Sequence, residues 1–325
     1  MRYVLRRVGQ AALVLWAAYT ATFLLLYVLP GDAVDQLFDP TRISAATAGE
    51  KEQMRAYYGL DDPLVVQYLG RLAAALQGDL GLSIQTGRPV TEELARVLPA
   101  TLVLSGFALA LAVVLALVVA VSAVVTTSRR WRNALLALPP AAVSIPGFVI
   151  GLVLLQVFSF QLHWFPSIGD QGLTTLVLPG VALAITVSAP IAQLLAGNLL
   201  HEGDQPYATT AAAKGFGRIA VTLRELLRNA TLPAFTMAGL VLGNLLAGAI
   251  IIETVFSRTG IGRLAETAVR TQDIPVVQGV VLLGAFIFVA VNLAVDLVYP
   301  LLDPRLRTGR PGTTRTAARV EAVRL

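Results

Sequence analysis

The chain has 325 residues, of which 56% are hydrophobic and 14% charged, with a formal net charge of +5 and no cysteine. So apolar a composition excludes an ordinary soluble domain, in which roughly a quarter of residues are charged. The absence of cysteine excludes disulfides, thiolate metal sites and thiol chemistry.

A hydrocarbon core about 30 Å thick requires about 20 apolar residues per helical span. Six stretches qualify, at 8–29, 100–126, 135–160, 174–197, 233–256 and 277–302. Arg6 and Arg7 precede the first, whose apolar run is longer than the roughly 7–15 residues of a signal-peptide core. With no small-residue cleavage site at Leu29-Pro30-Gly31-Asp32, it reads as an uncleaved helix. Residues 1–30 form this N-terminal unit, and 31–98 follow as an insertion between spans. Within the insertion, Glu50 to Tyr58 reads as an amphipathic helix, and Asp61-Asp62-Pro63 opens a second that runs through Leu76. Gly78-Asp79-Leu80-Gly81 is a turn. Residues 99–304 carry the remaining five spans, with a polar loop at 198–232, and 305–325 form an arginine-rich tail suited to anionic lipid. Near the end of this unit, Gly260 and Gly262 interrupt the chain before a short helix over Leu264 to Val269 that dips toward the pathway.

Basic residues fix the orientation. Arg2, Arg6 and Arg7 precede the first span, and Arg129, Arg130 and Arg132 separate the second from the third. Lys214, Arg218, Arg224 and Arg228 lie between the fourth and fifth, while Arg305, Arg307 and Arg310 follow the sixth. Six spans place all four groups on one side, which the positive-inside rule makes cytoplasmic, with both termini inside a plasma membrane. Because the positive charge sits at span ends, it does not point to nucleic acid.

The polar loop is the most informative segment. Tyr207-Ala-Thr-Thr-Ala-Ala-Ala-Lys214-Gly215 favours a short helix that Gly215 ends in the left-handed conformation. Phe216 and Gly217 follow, and Leu232-Pro233 opens the next span. Lys51 and Lys214 are the only lysines, and neither follows a glycine as a phosphate-cradling loop requires. His163 and His201 are the only histidines, and no His-Glu-x-x-His pair is present to hold zinc. His163, beside Trp164 and Phe165, suits a membrane interface, while Ser105-Gly106 and Ser144 suit helix packing. Glu253 and Asp296 lie near or within spans, where a charge facing lipid is costly, so both face protein or water. Each is either paired with a neighbouring helix or lines a pathway. Gln156, Gln193, Asn244 and Asn292 read as interhelical hydrogen-bond partners, with Asn244 also a candidate pathway residue.

Several motifs, in this order, resemble the permease subunits of ATP-binding-cassette importers of the dipeptide, oligopeptide and nickel class. They are Leu29-Pro30-Gly31-Asp32, Gly59-Leu60-Asp61-Asp62-Pro63, Gly78-Asp79-Leu80-Gly81, Leu98-Pro99-Ala100-Thr101-Leu102 and the 207–233 loop. Glu253-Thr-Val-Phe-Ser257, Gly260-Ile-Gly-Arg-Leu264, Pro275-Val-Val-Gln-Gly279 and Leu302-Asp-Pro-Arg305 complete the series. The resemblance implies an all-α, six-span permease of the type I importer fold with a small external insertion. It implies a non-catalytic subunit that pairs with a homologous permease, two ATPases holding ATP and magnesium, and an extracytoplasmic solute-binding protein. It implies that Tyr207, Ala211, Ala212, Lys214, Gly215, Phe216 and Gly217 form the loop that couples to the ATPases. Short peptides are the implied cargo, with nickel chelates or another small solute as alternatives. A transporter or channel working without ATP is the other reading. The chain departs from the family pattern at Pro206, where an acidic residue is usual, at Ala212, where an arginine is usual, and at Arg258-Thr259, where an apolar residue and a proline are usual.

Overall fold

Apolar runs of this length leave a backbone that must satisfy its own hydrogen bonds, and helices do so within one segment. The computed structural model describes residues 2–27, 63–169 and 172–302. It contains α1 (Arg2–Tyr27), α2 (Leu64–Leu76), α3 (Val90–Val125), α4 (Arg129–Ser144) and α5 (Gly147–Leu154), which continues as a π segment, Leu155–Gln161. Then come α6 (Thr174–Gly203), α7 (Pro206–Ala213) and α8 (Arg218–Val221), which passes through a second π segment, Thr222–Leu226, into α9 (Leu227–Val255). The last two are α10 (Ile261–Arg270) and α11 (Ile274–Leu302). The helix expected at Glu50 to Tyr58, the rest of 31–62 and the 305–325 tail lie outside the described residues.

By length and composition, α1, α3, α6 and α11 are able to cross a membrane, and α4 with α5 adds a fifth span if the pair counts as one. Helix α9 occupies the fifth expected stretch, 233–256, with its apolar part at Val241–Val255. The stretch expected over 135–160 is not one continuous helix. The chain bends by 101° between α4 and the α5 segment. Ile145 and Pro146 are both extended (ψ 124° and 134°), because a proline ring disfavours helical backbone at the residue before it. Helix α3 also begins at Val90, ten residues ahead of the expected span, and so projects beyond the apolar core.

The core is built on α3 and α6, which pack together more extensively than any other pair. Ala108, Ala112, Ala116 and Ala120 are all fully buried. Their spacing of four puts them on one face of α3, where small side chains let the α6 backbone approach closely. On α6, Ala182, Ala184, Ala189, Ala192 and Ala196 are buried in turn. At Gly180 the fit to α3 is closest: a β-carbon there would stand 2.3 Å from the Phe107 ring. Ser105 shares the buried face, but Gly106 has nothing within 4 Å and takes no part in packing within the chain. Ser144 is exposed and donates to the Pro140 carbonyl of its own helix (2.9 Å).

None of the four amides expected to bond between helices does so within this chain, among the described residues. Gln156, Gln193 and Asn244 are exposed on faces the chain leaves uncovered, and Asn292 donates to Phe288 of its own helix. Long-range polar ties come instead from Asn198 to the Ala230 carbonyl (3.4 Å), Thr101 to Glu253, Ser83 to Asp273 and Arg258 to Thr175.

Candidate functional site

Helix α7 juts out between the end of α6 and the start of α8. Pro206 occupies its first turn, where the missing N–H costs nothing. Its C-terminal end closes as a Schellman turn: Phe216 N–H reaches the Ala211 carbonyl (3.4 Å) and Gly215 N–H the Ala212 carbonyl (3.0 Å). Gly215 has φ +87°, the left-handed conformation expected of it. A β-carbon there would meet nothing within 4 Å, so the constraint on Gly215 is backbone conformation and not space.

The loop residues divide into two faces. Ala208 and Ala211 are buried against Leu195, Leu199, Leu226 and Ala230, and Tyr207 packs beside them. Ala212, Lys214, Gly215, Phe216 and Gly217 are exposed, Phe216 at 45%. Five of the seven candidate residues therefore form an outward surface, while Tyr207 and Ala211 fasten it to the chain.

That fastening uses two residues the sequence reading misses. The Tyr207 hydroxyl donates to Glu202 at the end of α6, and Asn229 of α9 donates to the Tyr207 oxygen (3.2 Å). Burial first, and then the bond to Glu202, push the Tyr207 phenol above its ordinary range. One side chain thus joins α6, α7 and α9. The acid usual beside the tyrosine is supplied here from five positions upstream, and the Pro206 departure leaves the tyrosine with an acidic partner. On the far side of the loop, Thr222 donates to the Arg218 carbonyl (2.9 Å), opening the π segment that leads into α9.

The opposite end of α9 carries the second candidate, Glu253, which is fully buried. Its carboxylate accepts from the Thr101 hydroxyl of α3 (2.6 Å) and from Gly262 N–H in the first turn of α10 (2.7 Å). Thr101 in turn accepts from Ile261 N–H (2.9 Å). Gly260 and Gly262 make the arrangement possible. A β-carbon on Gly260 would lie 2.1 Å from the Glu253 carboxylate, and one on Gly262 would lie 2.2 Å from the Ile250 carbonyl oxygen. These glycines do more than break the chain: they let α10, longer at each end than expected, fold back onto α9. Within this chain Glu253 faces protein, and its bonds pin α10 to α3 and α9. Asn244 lies on α9 in an uncovered face with Ala247 and Ile251, seven residues from end to end. The side chain of Asp296 lies outside the described residues.

At the departure Arg258-Thr259, the Arg258 side chain is buried and donates to the Thr175 carbonyl at the start of α6 (3.0 Å). Among the described residues, no group of three or more His, Cys, Asp or Glu side chains is placed to hold a metal ion.

Residues 112–308 match the family of binding-protein-dependent transport system inner membrane components, and residues 1–105 match the N-terminal region of such membrane components. The glutathione transport system permease protein GsiC of Escherichia coli O6:H1 is 35% identical over 308 residues, covering 94% of this chain and 99% of that protein. Its counterpart in Salmonella paratyphi A is 35% identical over 309 residues, with the same coverage. Among solved structures, an inward-facing form of the MetNI methionine ABC transporter aligns with a TM-score of 0.55 at 19% identity, covering 65% of this chain and 96% of that one. That last likeness concerns the fold alone.

Proposed function

Because the chain belongs to the family of binding-protein-dependent transport system inner membrane components, and so is an ABC importer permease, we propose that it carries short peptides, glutathione-sized ones included, across the plasma membrane. In this reading α9 is a sixth span and both termini are cytoplasmic. A homologous permease completes the pathway, and an extracytoplasmic binding protein delivers the cargo. Two ATPases hold ATP and magnesium, and this subunit carries out no chemistry itself. The relatives named for glutathione transport support the peptide class, since glutathione is a tripeptide.

The observation that carries the proposal is α7: a capped, eight-residue helix whose exposed face presents Ala212, Lys214 and Phe216, and whose inner face is tied by Tyr207 to two long helices. A groove of the partner ATPase that grips this face would move α6 and α9 together as the nucleotide sites close. That is a rigid-body switch between outward- and inward-open states. Asn244, on an uncovered face of α9, is positioned for the pathway or for the second permease, whereas Glu253 holds the outer end together.

The test is Gly215→Val. A β-branched residue at φ +87° costs roughly 1–2 kcal/mol and opens the Schellman turn. The variant is expected to insert and assemble, while losing uptake and substrate-stimulated ATP hydrolysis in the reconstituted complex. Full coupling in Gly215→Val would reduce α7 to a connector and remove the main support for this reading.

A further inference from the structure

We propose that a cavity at the outer ends of α3 and α10 receives the C-terminal carboxylate of a short peptide on its way into the pathway, an assignment that rests on the peptide-import reading. The cavity has a volume of about 500 Å³. That lies within the roughly 300–1,000 Å³ typical of small-molecule sites. Its walls come from three separate segments: the turn around Ser83 and Thr86, the first turns of α3, and the length of α10 with the residues just after it.

The charges in the cavity are not equivalent. Its two carboxylates are consumed by the walls. Glu93, 4% exposed, accepts from Thr86 (3.3 Å) and from Arg96 (2.6 Å). Asp273, 3% exposed, accepts from the Ser83 hydroxyl (2.5 Å) and from the backbone N–H groups of Ile84 (3.1 Å) and Gln85 (3.3 Å). The two guanidinium groups are not consumed. Arg96 gives one nitrogen to Glu93 and Arg263 gives one to the Ser257 carbonyl (3.0 Å), and both side chains are exposed. Their remaining N–H groups meet no partner among the described residues.

The cavity therefore offers fork-shaped donors and keeps its acceptors turned away. This suits a carboxylate, which an arginine fork binds through two oxygens, and it disfavours an ammonium group. Val97, Leu264, Ala268 and Val276 supply apolar wall that tolerates varied side chains. A peptide held by its carboxyl end fits both the donors and the apolar wall, whereas an inorganic anion would use the donors alone.

The experiment uses the assembled complex of both permeases and both ATPases in lipid nanodiscs, without binding protein or ATP. Radiolabelled trialanine is the probe, with trialaninamide as the matched peptide that lacks the carboxylate. Trialanine is expected to bind saturably, and the amide to bind on the order of tenfold to a hundredfold more weakly, as for a lost hydrogen-bonded charge. Arg263→Gln and Arg96→Gln should each weaken trialanine binding by a similar factor and leave the amide unchanged. Arg263 is exposed and bonds only a backbone carbonyl, so assembly of Arg263→Gln is expected to survive, and size-exclusion chromatography checks both variants. Equal binding of acid and amide overturns the proposal, as does wild-type binding by Arg263→Gln or competition by inorganic phosphate as strong as by the peptide. So does an Arg263→Gln complex that binds trialanine normally but no longer captures empty binding protein, since the cavity would then be a protein contact. ATP-driven uptake of trialanine by the same complex, with binding protein added, separates the two readings. Uptake without saturable cavity binding overturns the cavity and leaves the import function standing. Carboxylate-selective binding without any peptide uptake overturns the import reading and retains the site.

Discussion

Replacing Glu253 with alanine removes both acceptors that hold α10 to α3 and α9. Gly262 N–H, at 2.7 Å from the carboxylate, has a fixed direction and bonds no other acceptor among the described residues, whereas the Thr101 hydroxyl at 2.6 Å can rotate toward a carbonyl of its own helix. A buried donor left unsatisfied costs about 1–3 kcal/mol, and the void left by the deleted side chain adds to this. The sum is roughly 3–5 kcal/mol, in the range found when one partner of a buried charged network is removed. Glu253→Gln keeps the volume and one acceptor oxygen and avoids burying a charge, so its cost is expected to be about 1–2 kcal/mol. For a chain of this size, such losses correspond to a fall in midpoint of about 10 °C for alanine and a few degrees for glutamine. The assay is the fraction of purified complex remaining intact by size-exclusion chromatography after stepwise heating. An alanine variant as stable as wild type would show that the network contributes nothing. Glutamine as damaging as alanine would show that charge alone, and not the count of acceptors, holds the junction.

Three further outcomes are expected. Gly262→Ala should destabilise the complex at least as much as Glu253→Gln, because its β-carbon meets the backbone of Ile250 at 2.2 Å, and thermal stability of the two side by side checks it. Tyr207→Phe should leave assembly intact at a cost of about 1 kcal/mol while reducing the stimulation of ATP hydrolysis by loaded binding protein; unchanged stimulation would make the Tyr207 bonds purely structural. Ala116→Leu, which forces a large side chain into the fully buried α3–α6 contact, should lower the yield of folded permease sharply, whereas Val118→Leu, on an exposed face of the same helix, should not.

Helix α7 is legible in sequence because its determinants are local. An alanine run followed by Lys214-Gly215 specifies both the helix and the left-handed residue that ends it, within a few positions. Which face of that helix turns outward is not local: Ala211 is buried by Leu195, Leu199 and Leu226, residues from two other elements. The same distinction explains the break at Pro146. Hydropathy over 135–160 is continuous and hides it, while Ile145-Pro146 states it in backbone terms. Glu253 exposes the limit most clearly. Its burial suggests a partner, but Thr101 lies 152 positions away, and nothing in either neighbourhood pairs the two. Ser83 and Asp273, 190 positions apart, are in the same situation. By contrast, Ala108, Ala112, Ala116 and Ala120 announce a close helix contact by their spacing of four alone, a clearer signal than Ser105-Gly106.

Helix α3 is a single helix from Val90 to Val125, with Pro99 inside it. Its first turns line the cavity with Glu93 and Arg96, and its last residue, Val125, borders the groove formed by Gly217, Arg218 and Leu223 beside α7. The proline removes one hydrogen bond and marks where such a rod bends, so the arm that follows it runs from Pro99 to Val125. At 1.5 Å per residue this arm is about 39 Å long, and a tilt of roughly ten degrees sweeps its far end through about 7 Å. A lever of that reach needs no chain of intermediate contacts to relate the two faces of the membrane: the angle of one helix is felt at both.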